Sequence, residues 1–355
     1  GPDMTLQSKR AIWIGLDGVG LAALPDARDY AAEDAATLPH GAAACGGQNL
    51  PNIRNLGLGC LAEIAGVQPV SEPAGIYGRL AEKSSGKDSI IGHWELAGVL
   101  VDKPFATYPH GFPFELVRRF AEIAGAQPLG NISAGGLSIL KEYGAEHVRT
   151  GRPILYTSVD SVFQVAAHED VLAPEKLYDL CRAAKSLTDE YDIARVIARP
   201  FVGDLQSGFR RTAGRKDFPV QPPQRTLLEG LIAKGYTVTA VGKISDLFAG
   251  RGISASVATV DNHDGMEKVI AGLATQDTGL LMANLIDFDM VYGHRKDAVG
   301  FGRALEEFDA WLPQLFKAMR TEDLLVICAD HGCDPTTPGS DHTVSYTHLR
   351  AHETS

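Results

Sequence analysis

The sequence predicts an α/β protein with a doubly wound core sheet and an inserted α+β domain. Two observations support this fold class. From residue 225 onward, helical and strand patterns alternate, which is typical of a parallel sheet covered by helices. Near residues 104 and 222, proline-rich stretches with aromatic or basic residues indicate the two crossings into and out of an insertion. A length of 355 residues allows two domains.

Composition and charge exclude several classes of protein. Apolar residues make up 45% of the chain and charged residues 22%, as in ordinary globular proteins. No apolar run reaches the roughly 18 residues of a membrane span. The formal net charge of −11, without a stripe of Lys and Arg, argues against a nucleic-acid partner. Five cysteines without CxxC spacing fit a reducing, cytoplasmic setting.

The chain divides into a core that is interrupted by an inserted cap. We assign residues 1–104 and 223–343 to the core and residues 105–222 to the cap. Residues 1–10 lack the apolar centre of a signal peptide and are interpreted as a tag and a disordered start. Residues 344–355 show neither a strand nor a helix pattern. We therefore expect a non-native tail there, and we expect the native C-terminal element to be missing.

The first half of the core offers one acidic residue and one hydroxyl residue of interest. Residues 11–20 are interpreted as a buried strand that delivers Asp17 at its C-terminal end, where α/β enzymes gather functional groups. The alternative is a Gly-rich turn capped by Asp17. Ser89 precedes a predicted helix at 92–98, and N–H groups at a helix start can hold an anion beside a hydroxyl nucleophile. The alternative is that Ser89 is only the helix N-cap.

The remaining elements follow from periodicity and from helix start signals. In the insertion, the patterns predict helices at 114–125 and 173–187 and strands at 153–167 and 194–203. In the second part of the core, three helices each precede a strand. The helices are 226–234, 265–273 and 298–320, and the strands are 236–243, 279–289 and 324–329.

Metal-ligand side chains follow the predicted core strands. The candidates are three aspartates and three histidines: Asp17, Asp289, His294, Asp330, His331 and His342. Any one of them alone is more often structural. Because strand ends in one sheet meet at one edge, together they can surround two divalent cations about 3.5–4 Å apart. Mixed carboxylate and imidazole ligands suit Mn²⁺ or Zn²⁺. Two cations beside a hydroxyl favour phosphoryl or sulfuryl transfer through a Ser89 intermediate.

Several segments resemble phosphopentomutase, a two-manganese enzyme of the alkaline-phosphatase superfamily. They are LDGVG, GKDSIIGHWE, YTSVDSV, ARPFVG, RTAGRKDF, VGKISD, IDFDMVYGHRKD and ADHGCDPTTPGSDHT, between about residues 11 and 343. The resemblance implies an alkaline-phosphatase-like core and the interconversion of α-D-ribose 1-phosphate, or its 2-deoxy analogue, with the 5-phosphate. It implies a phospho-Ser89 enzyme, a 1,5-bisphosphate intermediate, pentose phosphate substrates and a sugar bisphosphate activator.

The resemblance also implies a role for each site residue. One manganese and the Ser89 phosphate would be held by Asp17, Asp330 and His331. The second manganese would be held by Asp289, His294 and His342. The substrate would be bound by Ser158 and Asp160 at sugar hydroxyls, by Arg199 and Arg215 at the distal phosphate, and by Lys243 nearby. Arg211 is an alternative to Arg215, and a solvated basic face is the alternative for the cap residues.

The sequence departs from the family pattern in two places. The family usually has Thr where this chain has Ser89, and the missing C-terminal element would remove sheet neighbours beside His342. Two rival functions follow. A metal-dependent phosphomonoesterase of the same superfamily would not need the cap residues that bind a second phosphate. A truncated, inactive metal-binding form would show neither turnover nor a thermal response to Mn²⁺.

Overall fold

A computed structural model describes residues 9–20, 37–85, 88–293 and 295–331, together with the backbone of 347–353. The chain separates into two compact units, Phe105–Gln221 and the remainder on either side of it. Among the described residues, no helix combines the length and the apolar character needed to cross a membrane.

The described residues contain thirteen strands, ten α-helices, a 3-10 helix at Leu58–Cys60 and a π-helix at Phe288–Gly293. The strands are β1 (Arg10–Leu16), β2 (Ile76–Leu80), β3 (Leu129–Ser133), β4 (Ile154–Thr157), β5 (Val162–His168), β6 (Arg195–Asp204), β7 (Gly208–Arg211), β8 (Lys216–Pro219), β9 (Val238–Val241), β10 (Ala255–Val257), β11 (Gly279–Leu285), β12 (Leu324–Cys328) and β13 (Thr347–Glu353). The helices are α1 (Thr37–Ala44), α2 (Pro51–Asn55), α3 (Ser89–Leu96), α4 (Phe114–Ala124), α5 (Gly136–Thr150), α6 (Pro174–Asp189), α7 (Leu227–Ala233), α8 (Ile244–Leu247), α9 (Asn262–Thr275) and α10 (Ala298–Ala318).

The first unit is built on a sheet with strand order β10-β9-β11-β1-β12-β13-β2 in its described part. β1 lies between β11 and β12 and is parallel to both, with Gly15 opposite Asn284 on one side and Cys328 on the other. This pairing brings the carboxyl ends of the three strands to one edge of the sheet. The alternation of helices and strands predicted after residue 225 is confirmed.

Apolar faces explain how the helices of the first unit pack. Ile12 and Ile14 of β1 are fully buried and belong to one apolar cluster with Phe308 and Leu312 of α10. Helix α10 begins at its N-cap Asp297, whose side chain accepts a hydrogen bond from the Gly300 N–H. The cap satisfies a backbone donor that the first turn of a helix leaves unpaired.

The second unit, all of whose residues are described, is a sheet with strand order β3-β4-β5-β6-β7, and β8 pairs with β6. Neighbouring residues of β5 point to opposite faces. Phe163 and Val165 pack in a cluster with Leu116 of α4 and Leu177 of α6. Ala166 packs in a second cluster with Ile139 of α5. Helices therefore cover both faces of this sheet.

The structure corrects several predicted elements. The strand predicted at 153–167 is two antiparallel strands, β4 and β5, because residues 158–161 form the connection between them. The prediction missed β3 and α5. The strand predicted at 279–289 ends at Leu285, and Phe288–Gly293 forms a π-helical turn.

The segment 344–355 was expected to lack a strand pattern, and that expectation is wrong for Thr347–Glu353. This segment forms β13, which pairs antiparallel with β12 and with β2. In the sequence THLRAHE, apolar Leu349 and Ala351 alternate with polar neighbours, and this two-residue period is typical of a strand.

Candidate metal centre

Three aspartates follow the adjacent parallel strands of the first unit. Asp17 follows β1, Asp330 follows β12, and Asp289 lies in the π-helical turn after β11. All three are buried, with at most 4% of the residue surface exposed. The Asp330 and Asp289 carboxylates both raise the pKa of Asp17 by repulsion, after the larger effect of burial. The three carboxylates therefore form one buried acidic cluster at the strand ends.

Both oxygens of Asp330 have donors. Oδ1 accepts the backbone N–H of Gly18 at 3.0 Å and that of His331 at 2.9 Å. Oδ2 accepts the hydroxyl of Ser89 at 2.7 Å and lies 3.1 Å from Nε2 of His331. Burial alone would raise the pKa of Asp330, but the charge and hydrogen bond of His331 outweigh burial and lower this pKa. Asp330 is therefore held as a carboxylate.

Asp17 lies in the opposite electrostatic environment. Its Oδ2 accepts Nδ2 of Asn284 at 3.0 Å, whereas its Oδ1 has no hydrogen-bond partner among the described residues. Burial, and then the nearby Asp330, raise the pKa of Asp17. A buried carboxylate oxygen without a hydrogen-bond donor is costly. A divalent cation would bind this oxygen, so these side chains fit the metal that the resemblance implies.

Ser89 is the first residue of α3 and faces the carboxylate cluster. Its Oγ lies 3.0 Å from Nε2 of His331, in addition to its bond with Asp330. The N-cap of α3 is Asp88, whose side chain accepts the Ile90 N–H at 2.6 Å. The alternative that Ser89 serves only as the N-cap is therefore wrong. Its hydroxyl is directed at the groups that could activate it.

His93 is a member of the cluster that the sequence analysis missed. Its Nδ1 donates to the carbonyl oxygen of Ser89 at 2.8 Å, and its Nε2 lies 3.8 Å from Oδ1 of Asp17. Asp17, His93 and Asp330 each offer a ligand atom within 4.8 Å of the others. Burial lowers the pKa of His93, which favours the neutral ring. The spacing of four residues after Ser89 on a helix could have indicated this contact.

His294 and His342 lie outside the described residues. The structure therefore describes Asp289 alone of the three ligands predicted for the second manganese. The ligands of the first predicted set, Asp17, Asp330 and His331, lie together.

The predicted sugar-binding residues lie in the second unit. Ser158 and Asp160 occupy the connection between β4 and β5, where the Asp160 N–H donates to Oγ of Ser158 at 3.2 Å. Lys243 belongs to the first unit, follows β9 and is exposed. Its backbone N–H donates to Oδ1 of Asn284 at 2.8 Å.

The predicted phosphate-binding arginines cluster within the second unit. Arg199 of β6 donates from Nε to Oε1 of Gln164 at 3.1 Å. Burial, and then the charges of Arg215 and Arg211, lower the pKa of Arg199. Arg215 makes a two-point contact with Asp217, at 2.7 and 2.9 Å. The structure thus brings all three arginines together without deciding between Arg211 and Arg215.

Comparisons with known proteins show which family this chain resembles. The sequence model of the metalloenzyme superfamily matches residues 9–352. The chain is 56% identical to the phosphopentomutase of Syntrophotalea carbinolica, over 96% of this chain and 87% of that protein. It is 50% identical to the phosphopentomutase of Acetivibrio thermocellus, over 96% of this chain and 88% of that protein. A solved phosphoglycerate mutase from Leishmania mexicana superimposes with a TM-score of 0.47 and 12% identity, over 99% of this chain and 91% of that one.

These sequence relatives confirm the resemblance that the motifs indicated, and the superfamily match agrees with the α/β fold class. The chain therefore belongs to the phosphopentomutase family of the metalloenzyme superfamily.

Proposed function

We propose that the chain interconverts α-D-ribose 1-phosphate, or its 2-deoxy analogue, with the corresponding 5-phosphate. Family membership makes it an isomerase that moves a phosphoryl group between positions of a pentose phosphate. The observation that carries the proposal is the position of the Ser89 hydroxyl, which lies within hydrogen-bond distance of both Asp330 and His331. A hydroxyl held against a buried acid and an imidazole is the arrangement that a phosphoryl acceptor needs.

The donor set supports dependence on divalent metal ions. Asp17, Asp330 and His331 would hold one ion. Asp289, with His294 and His342, would hold a second. Carboxylate and imidazole together suit Mn²⁺, with Zn²⁺ as the alternative. When bound, the ions would lower the pKa of the Ser89 hydroxyl and neutralise the phosphoryl oxygens.

The hydroxyl of Ser89 donates to Oδ2 of Asp330, so its proton has an acceptor when Oγ bonds to phosphorus. A sugar bisphosphate activator would load Ser89 in this way. Phospho-Ser89 would then pass its group to a free hydroxyl of a pentose monophosphate, giving a 1,5-bisphosphate. Transfer of the opposite phosphate back to Ser89 completes the exchange.

The second unit would act as the cap that recognises the rest of the substrate. We assign the sugar hydroxyls to Ser158 and Asp160, and the distal phosphate to Arg199 and Arg215, with Lys243 contributing from the first unit. The carboxylate of Asp217 holds the Arg215 guanidinium by two bonds, so that its planar fork is already oriented for an anion. We therefore assign the distal phosphate to Arg215 in preference to Arg211.

A cytoplasmic location is consistent with the cysteines. Cys45, Cys60, Cys181 and Cys328 are free thiols in the described part of the chain. Structural disulfides are typical of oxidising compartments, so free thiols fit a reducing one. We assign the enzyme to the cytoplasm on this basis.

Phosphorus NMR tests the proposed function directly. The Mn²⁺-loaded protein is given ribose 5-phosphate and a catalytic amount of a sugar bisphosphate. Growth of a ribose 1-phosphate signal without free phosphate is the expected result. Free phosphate alone would identify a phosphomonoesterase instead, and an unchanged spectrum would favour the inactive metal-binding form.

A further inference from the structure

The side chain of Asn284 connects two parts of the first unit to which the proposed function assigns separate roles. Asn284 is 2% exposed and lies in β11, opposite Gly15 of β1. Its Nδ2 donates to Oδ2 of Asp17 at 3.0 Å. Its Oδ1 accepts the backbone N–H of Lys243 at 2.8 Å. One amide group thus contacts both a candidate metal ligand and the segment that carries a candidate phosphate ligand.

The partners fix the orientation of this amide. The Lys243 N–H can only donate, so the amide oxygen must face it, and Nδ2 must then face Asp17. The bond occupies one oxygen of Asp17 and leaves Oδ1, the oxygen that has no hydrogen-bond partner among the described residues, available to a cation. The amide therefore orients the carboxylate.

The segment after β9 is shaped to meet the same side chain. Gly242 has a φ of +88°, in the left-handed region that favours glycine. A Cβ at this position would lie 2.6 Å from Oδ1 of Asn284 and 2.9 Å from its carbonyl oxygen. Only glycine allows this approach, and the close approach is what lets the N–H of Lys243 reach the amide.

We propose that Asn284 is a positioning residue for the phosphopentomutase reaction, which orients Asp17 for the metal and holds the Lys243 backbone in place. The inference rests on the proposed roles of Asp17 and Lys243. It predicts that loss of the amide weakens metal binding and substrate binding together. Loss of only the donor to Asp17 would affect the metal and spare the Lys243 segment.

Asn284→Leu tests the proposal because leucine keeps the approximate volume and removes both hydrogen bonds. Calorimetry on metal-stripped protein should show a Mn²⁺ dissociation constant raised about tenfold or more, the usual effect of losing a group that orients a ligand. The KM for ribose 5-phosphate should rise as well. Asn284→Asp keeps the acceptor for the Lys243 N–H, so it should restore the wild-type KM while Mn²⁺ binding stays altered.

Asn52→Leu is the matched control, since Asn52 also donates to an aspartate, Asp309, but away from the cluster. It should leave the Mn²⁺ dissociation constant and KM unchanged whatever it does to stability.

If Asn284→Leu does not fold, Asn284→Ala removes the same two bonds. Wild-type Mn²⁺ affinity in either variant overturns the inference, as does a raised KM in Asn284→Asp. A wild-type protein without isomerase activity would instead overturn the proposed function, and the Mn²⁺ titrations would still test the contact with Asp17.

Discussion

The hydroxyl of Ser89 lies 2.7 Å from Oδ2 of Asp330, although 241 residues separate the two in the chain. The contact depends on the close approach of α3 to the segment that follows β12. Gly92 permits this approach, because a Cβ at that position would lie 2.7 Å from the carbonyl oxygen of Asp330. The position of Ser89 is therefore set by packing between helix α3 and the segment that follows β12.

Replacing Ser89 with alanine should abolish phosphoryl transfer and retain metal binding. The substitution removes one oxygen and leaves the side chains of Asp17, Asp330 and His331 in place. We expect turnover to fall by at least about 10³-fold, as for other enzymes that lose their nucleophile. Intact-mass spectrometry should show no phosphate adduct, whereas Ser138→Ala in the second unit should keep the adduct. A phosphopeptide at another residue of the Ser89→Ala protein would contradict the assignment.

Gly92→Ala should destabilise the first unit by about 1–3 kcal/mol, because the added methyl group would overlap the backbone of Asp330. Gly230→Ala in α7 is the matched control, since a Cβ there would meet no atom within 4 Å. That variant should gain about 0.5–1 kcal/mol from the better helix propensity of alanine. Urea unfolding measures both free energies. Equal unfolding midpoints for the two variants would show that the approach of α3 is not tight.

The acidic residues at the strand ends could be predicted from local sequence. Asp17 and Asp330 each follow an apolar run, and the meeting of parallel strand ends at one edge is a general rule of α/β sheets. Asn284 could not be predicted in this way, since it lies within the apolar run 279–285 and reads as a core position. Its role depends on the pairing of β11 with β1 and on the approach of Gly242. Neither the strand pairing nor the approach of Gly242 can be recognised in a short stretch of sequence.

Helix α5 could not be predicted for a similar reason. Gly136 and Gly144 weaken its helical pattern, because glycine is a poor helix former. In the structure, a Cβ at Gly144 would lie 2.7 Å from the ring of Phe209, and a Cβ at Gly136 would overlap the guanidinium of Arg211. The two glycines provide room for side chains that are distant in sequence. A tertiary requirement thus overrides the local propensity.

The buried ion pair between Arg10 and Asp323 should contribute strongly to the stability of the first unit. Arg10 donates to Oδ1 of Asp323 at 2.9 Å and to the carbonyl oxygens of Leu273 and Gln276. Asp323→Ala would leave the guanidinium buried without its carboxylate. We expect a loss of about 3–5 kcal/mol in the free energy of unfolding, measured in urea.

Two comparisons test this explanation of the Asp323→Ala effect. The double variant Arg10→Met/Asp323→Leu should recover much of the loss, since it leaves no unpaired charge. Asp179→Ala, which breaks the exposed pair of Asp179 with Arg182, should change the unfolding midpoint little. A double variant as unstable as Asp323→Ala would assign the effect to packing and not to charge.

Substitution of the two candidate phosphate ligands separates their roles. Arg215→Ala should raise the KM for ribose 5-phosphate about 10- to 100-fold, the range for loss of a charged hydrogen bond. Arg195 still pairs with Asp217 at 3.0 Å, so the second unit should keep its fold. Arg211→Ala is the matched control and should leave KM near the wild-type value. The opposite pattern in steady-state kinetics would assign the distal phosphate to Arg211.

The second unit should lose stability as pH falls below about 6.5, because His147 is held neutral. His147 is fully buried, its Nδ1 donates to the carbonyl of Arg152 at 2.6 Å, and its Nε2 accepts the backbone N–H of His168 at 2.8 Å. A proton on Nε2 would face that N–H and break the bond. Burial is the main cause of the lowered pKa of His147, and the nearby His168 lowers it further.

The sign of the His147 effect follows from proton linkage. As pH falls through the ordinary histidine range, the unfolded chain binds a proton that the folded chain does not, so the unfolding free energy decreases until the folded pKa is reached. The melting temperature of the wild type should therefore drop as the pH falls below about 6.5. His147→Gln should show a smaller drop, whereas His263→Gln, at an exposed position of α9, should keep the wild-type drop. Equal pH dependence in the wild type and His147→Gln would exclude His147 as the source.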